Sequence, residues 1–185
     1  MFNHLITTSE CEECRTVYYQ NEECNLLEIN LMHQRGEVSV QNYINSIYTM
    51  VETFYDVECE KCKALNLGNK HNRKVTKKLG VLPKLLVFQV VRSFENILGK
   101  EPDVDLTVDK VIDLSHAMME EHENTKYKIK SVLRRGSSQH FDRGHYTSYI
   151  CNQLNDRNWA LCDDYFIHDE SEAKALNPKK YWANL

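Results

Sequence analysis

Cys11-Glu12-Glu13-Cys14 and Cys59-Glu60-Lys61-Cys62 place two thiol pairs at knuckle spacing, with forty-four residues between them. Each pair offers two sulfurs to one metal ion, and two pairs complete a tetrahedral, closed, structural zinc site. A redox Cys-x-x-Cys needs only one pair and usually opens a helix after a strand, so it accounts for this pattern less well. Two unrelated thiol pairs are the other reading. The chain has seven cysteines, an odd number, four of them in these units. That favours metal binding in a reducing compartment over a disulfide framework. A four-cysteine site would tie the two ends of a long excursion together.

With 185 residues and 42% hydrophobic content, the chain can bury one sizeable core, or one core and a small metal-held lobe. A net charge of −4 argues against general nucleic-acid binding. Met1-Phe2-Asn3-His4-Leu5 has neither the cationic segment nor the apolar run of a signal peptide, and no later window has membrane-span length. The expectation is a soluble intracellular protein of the cytoplasm or nucleus, with no nucleic-acid or membrane partner.

Arg15 to Gln20 and Asn25 to Met32 read as short strands, the second carrying alternating Leu27, Ile29 and Leu31. Cys24 has no partner at knuckle spacing and reads as a small buried hydrophobe. Val40, Tyr43, Ile44, Ile47, Tyr48, Val51, Phe54 and Tyr55 recur at helical steps, predicting one amphipathic helix through Tyr55 with Ser39 as N-cap. Lys70, Arg73, Lys74, Lys77 and Lys78 form a basic run that reads as a solvated face. Lys84 to Val91 reads as a central strand buried on both faces. Val104, Leu106 and Val108 alternate, Val111 to Leu114 suggests a short strand, and His116, Met118, Met119 and His122 read as exposed helix or loop rather than a metal site. Tyr127 to Leu133 alternates as a strand.

Gly144-His145-Tyr146-Thr147-Ser148-Tyr149 opens a strand, Asn152 to Asn158 supplies a polar turn, and Trp159 to Cys162 forms a second strand running into Asp163-Asp164. Neighbouring antiparallel strands can bring His145 and Asp163 side by side. A carboxylate on one ring nitrogen orients the imidazole and leaves the other nitrogen to take a proton from a nucleophile. On spacing alone, a His near an Asp in a hairpin is more often a surface ion pair than a catalytic couple.

The wording around it adds more. Gly-His-Tyr-Thr-x-Tyr, then Trp, then Asp-Asp entering an apolar strand resembles the last catalytic boxes of the ubiquitin-specific proteases, papain-like deubiquitinating cysteine proteases also called ubiquitin carboxyl-terminal hydrolases. His145 matches the general base, Asp163 the residue orienting it, and Asp164 the second acidic position. The paired knuckles are similar to those of the family's fingers. Leu82-Pro83-x-x-Leu86 resembles its central palm strand, with Val91 at a Lys position and Ser93 inserted before Phe94.

The resemblance implies an α+β papain-like fold of which this chain is part: zinc-ribbon fingers over residues 1–80 and an antiparallel palm sheet over 81–185. It further implies one structural zinc on Cys11, Cys14, Cys59 and Cys62, and ubiquitin or ubiquitinated proteins as partner. In relatives the loop Ser137 to Arg143 borders the channel for ubiquitin's C-terminal tail. The thumb, with its nucleophile box of Gly, Asn, Thr, Cys and Tyr, has no counterpart here. The expected function is therefore that of a deubiquitinating thiol hydrolase whose general base lies in this chain and whose nucleophile lies in an upstream segment of the same polypeptide, the chain alone being inactive. The alternative is a catalytically inactive, zinc-stabilised ubiquitin-binding or scaffold protein.

Overall fold

A computed structural model describes residues 3–32, 34–91, 104–135, 145–152 and 158–176. Its first elements are β1 (Asn3–Cys11), β2 (Val17–Cys24), β3 (Leu27–Asn30), β4 (Gly36–Ser39), α1 (Val40–Thr49), β5 (Val51–Glu58), α2 (Glu60–Ala64) and β6 (Lys70–Val81). β2, β1, β6 and β5 form one antiparallel sheet in that order. The two cysteine knuckles are the β1–β2 and β5–β6 connections, and both lie at the same end of this sheet. At the other end Leu5 pairs with Leu79, which is fully buried. The sheet is thus anchored in the core at its base and carries the thiols at its tip.

α1 packs against that base. Ser39 Oγ accepts from the Asn42 amide at 3.0 Å, the expected N-cap. Asp109 Oδ2 accepts from the Gln41 amide at 2.9 Å, adding a carboxylate at the helix's positive end. Val40, Tyr43, Ile44 and Tyr48 are buried in the main core with Leu27, Ile29, Leu31, Leu79, Leu106, Ile112 and Leu114. Burial pushes the Tyr48 phenol up to about 12.

The helix stops at Thr49, six residues short of the expected Tyr55. Ser46 Oγ donates to the Tyr43 carbonyl and Thr49 Oγ1 to the Asn45 carbonyl, at 2.8 and 2.6 Å. Met50 then turns extended, with φ −68° and ψ 138°. Val51-Glu52-Thr53-Phe54-Tyr55 is rich in β-branched and aromatic residues, and pairing with β6 outcompetes the helical periodicity. Val51, Phe54 and Tyr55 are consequently exposed on an edge strand rather than packed.

β7 (Phe88–Val91), β8 (Val104–Thr107), β9 (Val111–Asp113), a 3₁₀ turn (Ser115–Ala117) and β10 (Lys126–Lys128) follow. β7 runs parallel to β3, and β8 parallel to β4. The apolar run of Lys84 to Val91 is therefore a strand only over its last four residues. It is not covered on both faces: Leu85, Val87 and Val90 are exposed. They line an open groove of about 920 Å³ with Leu82, Tyr127 and Leu133. Met118 lies in the main core, in place of the expected exposed setting, whereas His116 and His122 are exposed.

β11 (Ser131–Arg135), β12 (Tyr146–Cys151), β13 (Trp159–Asp163) and β14 (Phe166–Glu170) form an antiparallel sheet in sequence order, closed by α3 (Glu172–Leu176). Tyr149, Cys151, Trp159 and Ala175 make a second, smaller core on one of its faces. Tyr127 to Leu133 thus divides between two strands. Residues 92–94, the loop 137–143, most of the turn 152–158 and the closing 177–185 lie outside the described residues. Among the described residues, no helix is long and apolar enough to cross a membrane.

These burials set an order of stability effects. Leu79→Ala will cost about 2–5 kcal/mol, whereas Leu85→Ala, at a position 72% exposed, will stay within about 0.5 kcal/mol. Denaturant midpoints of the two variants check this, and the reverse order would show the run around Leu85 to be core.

Candidate thiol cluster and histidine–aspartate pair

The two knuckles close on one another. Cys11 Sγ lies 3.6 Å from Cys62 Sγ, and Cys14 Sγ lies 3.6 Å from Cys59 Sγ. All four sulfurs fall within 4.8 Å of one another. Four sulfurs bound tetrahedrally at about 2.3 Å from a zinc ion sit about 3.8 Å apart, so the observed spacings fit that ion. Cys11, Cys59 and Cys62 are buried and Cys14 is half-buried, and all four are free thiols.

Local backbone makes this possible. The Cys11 amide bonds the Thr16 carbonyl and the Arg15 amide the Cys11 carbonyl, with Arg15 in the left-handed region at φ 58°. In the second knuckle the Lys63 amide bonds the Cys59 carbonyl, opening the short α2. The Cys62 amide reaches the Cys59 sulfur and draws that thiol down to about 6, while burial and the neighbouring thiols push Cys62 up.

The sequence pattern did not connect Thr16, Tyr18 or Arg73, the last read only as part of a solvated basic run, with the cluster that they also surround. Thr16 Oγ1 lies 3.3 Å from Cys14 Sγ and Tyr18 Oη 3.8 Å from Cys59 Sγ. Their side-chain alternation after the first knuckle was legible, but the contact with Cys59 crosses the sheet. Most of the basic run is used internally: Lys74 pairs with Glu12 at 3.0 Å, Lys78 donates to the His116 carbonyl at 2.8 Å, and Arg73 donates to the Glu58 carbonyl.

At the other end of the chain, β12 and β13 pair with Ser148 opposite Cys162 and Cys151 opposite Trp159. β13 and β14 are joined through Asp164 and Tyr165, with Asp163 opposite Phe166. Asp164 takes the left-handed conformation at φ 49°, which a short polar side chain tolerates. The tight turn keeps Asp163 in register as the last paired residue of its strand. His145, immediately before β12, places its Nε2 in contact with Asp163 Oδ1. Asp163 is the partner in contact, and Asp164 acts on the ring through its charge alone.

With Nε2 against the carboxylate, a neutral ring keeps its proton there and leaves Nδ1 free to accept one. The bond to Asp163, then the charges of Asp163 and Asp164, raise the His145 pKa above the ordinary imidazole value. The stability this contributes is present below the unfolded-state pKa and is lost as pH rises through the raised one. Both side chains are substantially exposed, so the effect on stability is slight.

A family model described as ubiquitin carboxyl-terminal hydrolase matches residues 2–182. The chain belongs to the ubiquitin carboxyl-terminal hydrolase family. Its fold is that of the family's catalytic domains: antiparallel sheets, few helices and a four-cysteine cluster at the tip of one sheet. Among solved structures, it superposes on a chain of the SAGA Ubp8/Sgf11/Sus1/Sgf73 DUB module bound to ubiquitin aldehyde with TM-score 0.76 and 13% identity, covering 95% of this chain and 39% of that one. The yeast SAGA DUB module carrying a point mutant of Sgf73 gives 0.73, 13%, 95% and 38%. The module with a cysteine-to-alanine variant of Ubp8, bound to monoubiquitin, gives 0.76, 14%, 95% and 38%. The hydrolase-family chain thus spans about two fifths of the length of the solved structures it matches. No curated protein matches it.

Replacing Asp163 with Asn removes the nearest charge and leaves at most a neutral, weaker acceptor for the ring. The His145 imidazole, followed by NMR titration, should then fall back toward its ordinary value, and Asp164→Asn should lower it by less. A larger fall for Asp164→Asn would reassign the partner.

Proposed function

We propose that this chain is the fingers-and-palm portion of a deubiquitinating cysteine protease, hydrolysing the peptide or isopeptide bond after the terminal glycine of ubiquitin. The observation that carries this reading is the His145–Asp163 contact, formed across a β-hairpin in a chain of this hydrolase family. His145 Nδ1 takes the proton of a cysteine thiol. The thiolate adds to the carbonyl carbon, and the imidazolium then protonates the departing amine as the tetrahedral intermediate collapses to a thioester. Water, deprotonated by the same ring, releases ubiquitin's carboxylate and restores the thiol. Asp163 holds the ring and stabilises its charged form throughout, and Asp164 adds charge.

The nucleophile is supplied by chain outside these residues. Cys162 neighbours Asp163 on one strand and projects to the opposite face of the sheet. Cys151 is four residues along the paired strands from Asp163, about 13 Å away, and is buried in the second core. The thiols of Cys11, Cys14, Cys59 and Cys62 belong to the cluster, which holds one structural zinc, and Cys24, at the end of β2 opposite Asn3, packs against the main core, where burial pushes its thiol up. Exposed apolar residues support further covering chain: Leu85, Val87 and Leu133 around the groove, and Ile150 and Ile167 on the open face of the β11–β14 sheet. Ubiquitin is the partner, and the cytoplasm or nucleus, where thiols stay reduced, is the compartment.

Reaction of the purified chain with ubiquitin bearing a thiol-reactive C-terminal electrophile, read by intact mass, tests the reading. No His145-dependent adduct is expected from this chain. A His145-dependent adduct would mean that one of its seven cysteines is the nucleophile. In a longer chain that includes a reactive cysteine, His145→Ala should lower turnover by about 10²–10⁴-fold. An unchanged rate would show that His145 is not the base, and no turnover in that longer chain would leave the zinc-stabilised binding or scaffold role.

The zinc is tested separately. Elemental analysis should find about one zinc per chain. Cys62→Ser should lose it and lower the midpoint of thermal unfolding, because binding energy at such a site is also folding energy.

A further inference from the structure

The thiol cluster is buried except at Cys14, and hydroxyl groups stand beside Cys14 and its neighbour Cys59. Cys11 and Cys62, whose sulfurs are 3.6 Å apart, are both fully buried. Cys14, the only half-exposed member, has Thr16 Oγ1 at 3.3 Å from its sulfur. Cys59 has Tyr18 Oη at 3.8 Å from its sulfur.

Tyr18 is itself held in place. The Arg73 guanidinium lies 4.9 Å from the centre of its ring, within the range of a cation–π contact. The same guanidinium donates to the carbonyl of Glu58, the residue before Cys59. One side chain on the central strand therefore links the tyrosine ring to the backbone entering the second knuckle. Strand register makes this coherent: Arg73 pairs with Cys11 and Ser9 pairs with Tyr18, which puts Arg73, Cys11 and Tyr18 on one face of the sheet.

We propose that the Thr16 and Tyr18 hydroxyls donate to the Cys14 and Cys59 thiolates of the zinc-loaded site, that Arg73 positions Tyr18 for this, and that these donors slow the loss of zinc from its open side. The inference rests on the zinc reading above. Four thiolates on one divalent cation leave a net charge of −2, concentrated on sulfur. A hydroxyl donor offsets that charge through a charge-assisted bond and competes with the protons and chelators that detach a thiolate. Such competition matters most where solvent reaches sulfur, at Cys14, and next at Cys59, a buried thiol whose sulfur lies 3.6 Å from it. Cys11 and Cys62 are shielded by packing. These are positioning residues of the metal site and take no part in bond cleavage.

The test uses the full 185-residue chain. Wild type, Thr16→Val, Thr16→Ser, Tyr18→Phe and Tyr19→Phe are each analysed for zinc content, then mixed with excess chromogenic chelator at fixed pH to follow release. Cobalt-substituted samples give the sulfur-to-cobalt absorption band. Thr16→Val and Tyr18→Phe are expected to release zinc roughly tenfold faster and to shift the cobalt band. Thr16→Ser, which keeps its hydroxyl, and Tyr19→Phe, whose residue is 66% exposed on the opposite face, should behave as wild type. Tyr18→Phe keeps the ring and its stacking with Arg73, so it isolates the hydroxyl from packing. Wild-type release rates for Tyr18→Phe and Thr16→Val, in chains that hold zinc, would overturn the proposal. A wild-type chain without zinc would instead overturn the zinc reading beneath it.

Discussion

The pairing of β1 with β6 is the contact on which most of the molecule depends. It joins segments more than sixty residues apart in sequence, aligning Leu5 with Leu79 at one end and Cys11 with Arg73 at the other. The first alignment places the sheet's base in the main core. The second brings two knuckles, remote in sequence, to a common tip. Loop closure over such a distance is entropically costly. Apolar burial at the base offsets it, and the four thiols gathered at the tip, compatible with a zinc site, are placed to add binding energy to a narrow sheet whose β2 is largely exposed.

A different constraint governs the His145–Asp163 pair. Period-two side-chain alternation makes a one-residue slip of β13 against β12 exchange Asp163 for a neighbour facing the other way. Burial of Tyr149, Cys151 and Trp159 on one face resists that slip, and the two-residue turn through Asp164 fixes where β13 ends. A small apolar core thus sets the position of an exposed polar pair. One proton position then follows: Nε2 is engaged by the carboxylate, so in the neutral ring Nδ1 is the nitrogen left free to accept a proton.

Legibility from sequence varied with the range of the interaction. The Cys-x-x-Cys spacing, the Ser39 cap and the alternation of Tyr146 to Cys151 are local, and each corresponds to what the structure contains. Val51 to Tyr55 is the opposite case. Its apolar spacing continues the helix of Val40 to Thr49, yet Val51 to Phe54 pair with Thr76 to Arg73 of β6, and tertiary pairing outweighs periodicity. Lys84 to Val91 misleads in a related way: a run of valines and leucines signals a strand buried on both faces, and Phe88–Val91 is a strand, but the cover such a run calls for is absent on the groove side among the described residues.

The sequence by itself determined which residues bear chemistry. Thiols at knuckle spacing, an imidazole and a carboxylate eighteen residues apart, and the motif wording of the hydrolase family are all present without any fold. Only the tertiary structure decided how they combine. It set which thiols face each other, placed Asp163 rather than Asp164 against His145, brought Thr16, Tyr18 and Arg73 around the cluster, and buried Met118 in the core. The reason is physical: residue type and local spacing set what a side chain can do, whereas strand register and the burial of distant partners set what lies within its reach.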